Sequence, residues 1–190
     1  MNYKNILDFW FDELPSDDWF IKSDALDLKM VEKFIVIHSQ AVAGELFHWR
    51  NDPLGRLAEI ILIDQFSRNI YRDDPKAFAN DSLALVLAQE TINGNYHRLF
   101  TDQQKLFLYM PYMHSESKMI HDIALELFSE KGLEKNLIYE QDHYDKIKRF
   151  GRYPERNIIL GRINSPEEEI YLMKKSLPIT QKAGASQVIQ

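Results

Sequence analysis

Between Asp52 and Arg72 the chain reads DPLGRLAEIILIDQFSRNIYR, and no other stretch limits the fold as tightly. Asp52 followed by Pro53 is a strong helix start, because the Asp side chain accepts from first-turn N–H groups and Pro gives up nothing at the first helical position. The segment then carries Leu57, Ile60, Ile61, Leu62, Ile63 and Phe66, apolar on nearly every side. A helix without a solvent face belongs in an interior. The sequence therefore predicts a central, buried helix.

The rest of the chain supplies helices to surround it. Asn2 caps a short helix through Ile6, Leu7, Phe9, Trp10 and Phe11, ended by Pro15. From Asp24, the positions Leu28, Val31, Phe34, Ile35, Val42 and Leu46 recur at helical spacing up to Trp49, with a potential break between His38 and Gly44. A further helix begins near Asp81, turns Leu83, Val86, Leu87 and Ile92 inward and stops at Asn93-Gly94. Thr101 and Gln104 form a capping-box pattern ahead of Leu106, Phe107, Leu108 and Met110, and Pro111 predicts a kink or a stop. An amphipathic helix with Met119, Ile120, Ile123, Leu127 and Phe128 closes near Gly132, and another runs to Phe150. A short helical turn is expected over Ile158 to Leu160, and Ser165-Pro166-Glu167-Glu168 starts a last helix.

Only seven Gly and seven Pro occur in 190 residues, too few turn signals for a many-stranded fold. The class is all-α, with about eight helices paired as antiparallel hairpins by short links. A 22.4 kDa chain buries about 70% of its unfolded surface, so one self-sufficient domain over 1–176 is expected. Past Leu177 the periodicity ends, and 177–190 reads as a flexible tail.

Charge and composition narrow the chemistry. The 23 Lys plus Arg against 29 Asp plus Glu give a formal charge of −6, which disfavours nucleic acid and anionic lipid as partners. The absence of cysteine removes disulfides, thiolate nucleophiles and thiolate zinc sites together. The longest uncharged run, Phe34 to Gly44, is far short of the ~20 residues of a membrane span, and Asp8, Asp12 and Glu13 stand where a signal peptide would be apolar. The chain reads as a soluble cytoplasmic protein.

Four features carry candidate chemistry. Asp64 follows IILI on the helix with no solvent face, so it must be paired; Arg68 is four residues on, and Arg72 extends that row by one more turn. This pair either anchors packing or belongs to a site. His114-Ser115-Glu116 stands between two helices, where Glu116 is either a helix-start residue or, with His114, an acid/base or metal pair. His143 shares an inward stripe with Ile147 and Phe150 and is a core histidine unless a partner such as His114 or Asp64 meets it. Lys146, Lys148, Arg149, Arg152, Arg156 and Arg162 form a basic run that either converges on an anion or neutralises carboxylates across helix interfaces. The N-terminal aromatics Phe9, Trp10, Phe11, Trp19, Phe20 and Trp49 are read as core.

The segments FWF at 9–11, LIDQFSRNIYR at 62–72, Pro75-Ala77-Phe78, FLYMPYMHSES at 107–117 and RFGRYPERN at 149–157 together resemble the bacterial family catalogued as domain of unknown function 924. The resemblance extends nearly to Ser165-Pro166-Glu167-Glu168. It implies a tetratricopeptide-repeat-like helical array, right-handed, and no established activity. The family pattern falls on Asp64, Gln65, Arg68, Asn69, Tyr71, Arg72, His114, Ser115, Glu116, His143, Arg149, Gly151, Arg152, Pro154, Arg156 and Asn157. This chain departs from it at Glu155, where His is usual, and at Ser117, where an acid is usual, and both departures weaken a metal reading.

The leading expectation is one polar pocket that binds a small anionic molecule. His114, Glu116 and His143 would serve acid/base chemistry, and Asp64, Gln65, Arg68, Asn69, Arg72, Arg149, Arg152, Arg156 and Asn157 would bind the ligand. No metal ligand set is expected, and the sequence names no cofactor. The alternative is a helical-repeat scaffold that binds a peptide or protein partner on a concave face.

Overall fold

The computed structural model describes residues 1–176, so the tail expected over 177–190 lies outside the described residues. Among those residues there are eight helices and no strand. Helix α1 is Tyr3–Leu7, continuing as a π turn over Asp8–Glu13; α2 is Asp24–Val42. Helix α3 runs Pro53–Ile61, widens into a π turn over Leu62–Phe66 and finishes as Ser67–Ile70. Then follow α4 Asp81–Asn93, α5 Asp102–Met113, α6 Lys118–Phe128, α7 Glu134–Phe150 and α8 Pro166–Ser176.

Helix α3 packs against α1, α2, α4 and α5, and every residue from Leu57 to Ser67 is buried. Its start is built as the sequence requires: the Asp52 carboxylate accepts from the Leu54 N–H at 2.9 Å ahead of Pro53. Asn2 with Asn5 and Thr101 with Gln104 form reciprocal capping boxes at the starts of α1 and α5, and Ser165 with Glu168 does the same at α8. Phe9 and Trp10 close over α3 and Trp49 is buried with them, whereas Phe20, expected in the core, is 62% exposed. Phe9 and Phe34 lie 4.7 Å apart by ring centroid, Phe34 and Phe66 5.0 Å, and Trp10 sits 5.4 Å from both Phe66 and Phe107. Among the described residues no helix is long and apolar enough to cross a membrane.

Several local expectations are corrected. Helix α2 stops at Val42 and does not reach Trp49, since Gly44 takes a left-handed φ of 74° and a 3-10 turn follows over Phe47–Asn51. Pro111 does not end α5, which continues to Met113; Pro costs only its own backbone bond there, and burial on all sides holds the helix. The turn expected at Ile158 to Leu160 begins earlier, as a 3-10 turn over Pro154–Arg156. Leu28, Val86 and Met119 are exposed, because the buried stripes of their helices run through Met30, Phe34, Ile37 and Ala41 in α2, through Ala84, Leu87 and Ala88 in α4, and through Ile120 and Ala124 in α6.

Gly55 shows how tightly α3 is seated. A Cβ there would lie 2.2 Å from the Trp49 carbonyl oxygen. Gly55→Ala should therefore destabilise the protein by about 1–3 kcal/mol despite the better helix propensity of Ala, read as a lower urea midpoint. An unchanged or higher midpoint would mean that the 47–52 turn yields freely.

Candidate functional site

The one adjacent polar pair within the buried part of α3, Asp64-Gln65, lies in its π turn. Asp64 is 0% exposed, so its charge has to be met by protein groups. Arg68 brings Nη1 to 3.3 Å from Oδ1 and also donates to the Asp64 carbonyl at 2.7 Å. His114 Nδ1 lies 2.7 Å from the same Oδ1, and Gln65 Nε2 donates to Oδ2. Burial alone would push the Asp64 carboxyl up, but the Arg68 charge together with the hydrogen bonds from His114 and Gln65 outweighs it and holds the group well below the usual carboxylate range.

The ring of charge closes through residues distant in sequence. Arg68 Nη2 donates to Asp81 Oδ1 at 2.9 Å, Arg156 Nη1 to Asp81 Oδ2 at 3.2 Å, and Arg156 Nη2 to the His114 carbonyl at 3.1 Å. The Arg156 guanidinium lies 4.6 Å from the ring centres of both Phe78 and Tyr153. Glu116 accepts from the Tyr153 N–H at 3.0 Å and from Arg162 Nη1 at 2.9 Å.

In front of this ring opens a cleft of about 330 Å³. Its walls are Phe78, Asp81, Ser82 and Leu85 around the start of α4, His114, Ser115 and Glu116 after α5, and Arg156, Leu160 and Arg162. Burial, and then the Arg68 charge, push the His114 imidazole below its ordinary value in spite of Asp64. At neutral pH His114 is thus uncharged beside an ionised Asp64. The carboxylate only accepts, so Nδ1 carries the hydrogen and Nε2 keeps a lone pair. No hydrogen bond to Nε2 forms among the described residues. An oriented neutral imidazole on a cleft wall can take up a proton.

Of the residues singled out in the sequence, Asp64, Gln65, Arg68, His114, Ser115, Glu116, Arg156 and Arg162 come together. Asn69, Arg72, His143, Arg149, Arg152 and Asn157 do not. Arg72 leaves the Asp64 row because α3 ends at Ile70, and both Arg72 and Asn69 bind Asp27 of α2. Arg149 pairs with Glu167 at 2.7 Å and Arg152 with Glu168 at 2.7 Å, tying the end of α7 to α8. Asn157 is buried and donates to Asn164 at 2.8 Å. Glu116 does not cap α6, whose first residue is Lys118; its carboxylate is spent on Tyr153 and Arg162. His143 donates from Nδ1 to the Tyr139 carbonyl at 2.7 Å and packs 5.6 Å from the Tyr153 ring, with no hydrogen bond to Asp64 or His114. No cluster of three or more His, Asp or Glu fit for a metal occurs among the described residues. Asp81 went unrecognised because an acid in the first turn of a helix already has a local explanation.

Burial pushes both His143 and the 2%-exposed His38 down to about 4. Unfolded imidazoles take up protons from about pH 6.5 downward, whereas these two stay neutral in the fold until about 4. Stability should therefore fall as pH drops from about 6.5 to 4, measurable as a lower Tm at pH 4.5 than at 7.5. Equal values would place both rings in solvent.

Comparison with known proteins is specific but silent on activity. The family described as bacterial protein of unknown function (DUF924) matches residues 6–176. A solved structure of a protein of unknown function from Agrobacterium tumefaciens is similar, with 35% identity, a TM-score of 0.85, and coverage of 90% of this chain and 96% of that one. No curated protein matches.

Proposed function

The chain belongs to the bacterial DUF924 family, which carries no assigned activity, and from the geometry we propose that the cleft binds a small anionic molecule with which His114 exchanges a proton. The observation that carries this reading is the 2.7 Å contact of buried Asp64 with His114 Nδ1, which leaves Nε2 unpartnered beside the cleft. Asp64 orients and does not react. A volume of about 330 Å³ is at the small end of ligand sites and fits a metabolite-sized molecule.

The case for an anion is directional. Asp64, Asp81 and Glu116 balance Arg68, Arg156 and Arg162, so no net positive field draws the ligand in. Arg156, however, spends two of its five N–H groups on Asp81 and the His114 carbonyl, which leaves three for a carboxylate or phosphate oxygen. The His114 side chain is 11% exposed, at the wall of a small cleft, which suits a small ligand better than the extended concave face a peptide scaffold would offer. The alternative reading as a partner-binding scaffold has no comparable support.

The test is a titration with inorganic phosphate and with carboxylates of two to six carbons, followed by side-chain ¹⁵N NMR of His114 and by thermal unfolding. A binder present at 100 times its Kd stabilises by about 2.7 kcal/mol, a shift of several degrees in Tm. Arg156→Lys should abolish that shift while the protein remains folded. If no compound moves the His114 resonances, the anion reading falls; if compounds bind but His114 stays unperturbed, the acid/base part falls.

A further inference from the structure

Behind the cleft, His121 of α6 and Glu140 of α7 meet with 0% exposure each, Nδ1 lying 2.6 Å from Oε1. On the other side of the ring, Nε2 lies 2.8 Å from the Ser115 carbonyl and 3.0 Å from the Tyr153 hydroxyl oxygen. A carbonyl only accepts, and the Tyr153 hydroxyl donates its own hydrogen to the Met113 carbonyl, so His121 Nε2 must be the donor to both. The 2.6 Å contact on the Glu140 side then holds a second hydrogen, whichever atom owns it.

This pair is a poor source of stability. Glu140 Oε2 has no partner, and burial pushes the Glu140 carboxyl up. Buried pairs of this kind rarely outperform apolar residues of the same volume, and an orphaned oxygen adds a desolvation cost. What the pair does hold is the back of the cleft. The Ser115 carbonyl follows His114, and the Met113 carbonyl precedes it. Tyr153 anchors Glu116 through its backbone N–H and lies against the Arg156 guanidinium through its ring.

We propose that His121, clamped by Glu140, is a positioning residue: it fixes the 113–116 turn and the Tyr153–Arg156 stack, and thereby the placement of the His114 ring on the cleft wall. This rests on the cleft being the site, but it concerns the protein without any ligand.

The experiment measures the titration of His114 by side-chain NMR in the ligand-free full chain, with His121→Leu and Glu140→Gln. His121→Leu removes the donor to Ser115 and Tyr153, admits water to His114 and should raise its midpoint by about half a pH unit toward the solvent value. Glu140→Gln still offers a side-chain N–H to Nδ1 and keeps Nε2–H in place, so it should leave the His114 midpoint unchanged and act as the conservative rescue. Tyr153→Phe takes the place of His121→Leu should that variant not fold, because it removes only the bridging oxygen and should shift His114 in the same direction. An unmoved His114 in a folded His121→Leu or Tyr153→Phe protein overturns the proposal. So does a Glu140→Gln shift as large as that of His121→Leu, which would make the effect one of charge. Failure of the ligand titration with these shifts intact overturns the binding reading alone, and ligand binding to the unsubstituted protein with the His114 midpoint unmoved in the ligand-free variants overturns this one alone.

Discussion

Asp64→Ala should cost about 3–5 kcal/mol in urea unfolding, roughly 10 °C or more in Tm for a chain of this size. The loss does not measure the strength of an ion pair. The carboxylate is 0% exposed and accepts from Arg68, His114 and Gln65, so its removal strands a guanidinium and an imidazole whose remaining partners cannot compensate. The pH dependence has a definite sign. Because the folded carboxyl is held below its unfolded value, its contribution is complete above about pH 4 and is lost as pH falls through the folded value. The penalty of the substitution should therefore be full at pH 7 and shrink only in strong acid. His114 should titrate still lower in the variant, since Asp64 is the group that favours its charged form. A penalty below about 1 kcal/mol would show that water reaches this carboxylate and would remove the basis for an oriented imidazole.

Phe66→Ala should cost a comparable amount, about 3–5 kcal/mol, for an unrelated reason. Phe66 is 0% exposed and lies between Trp10, Phe34 and Phe9, so truncation leaves a hole that three large rings cannot close without leaving their rotamers. This cost contains no titrating group and should stay constant into strong acid, where the Asp64→Ala penalty shrinks. The two substitutions sit two residues apart on one helix, and their different pH profiles separate the polar side of α3 from its apolar side. Equal sensitivity to acid would mean that the cavity also disturbs the Asp64 network.

Much of this was written locally in the chain. Asp52-Pro53 and the apolar run behind it placed α3 at the centre, and the Thr101/Gln104 box placed the start of α5, because both signals act within one helical turn. The Asp64–Arg68 pair was legible for the same reason: four residues on a helix fix the distance. Its completion was not. Asp81 and Arg156 reach the same ring across 13 and 75 residues, and nothing in a helical period specifies which distant helix end arrives there. The basic run at 146–162 misled in part, since two of its arginines answer Glu167 and Glu168, acids that a helix start alone would explain. Pro111 misled because a local rule about backbone bonds yields to burial on all sides.

The π turn at Leu62–Phe66 has a consequence for how this helix can change over time. A π turn holds one residue more than a regular helix needs to cover the same rise. Deleting one residue there would restore regular winding without rotating what lies beyond, because the wide turn already absorbs the extra residue within the same rise. The side chains inside the turn would change face instead, and Asp64, which sits within it and meets Arg68 and His114, is the one that stands to lose its place. The number of residues in that turn therefore guards the polar site more than the packing of the helix on either side of it.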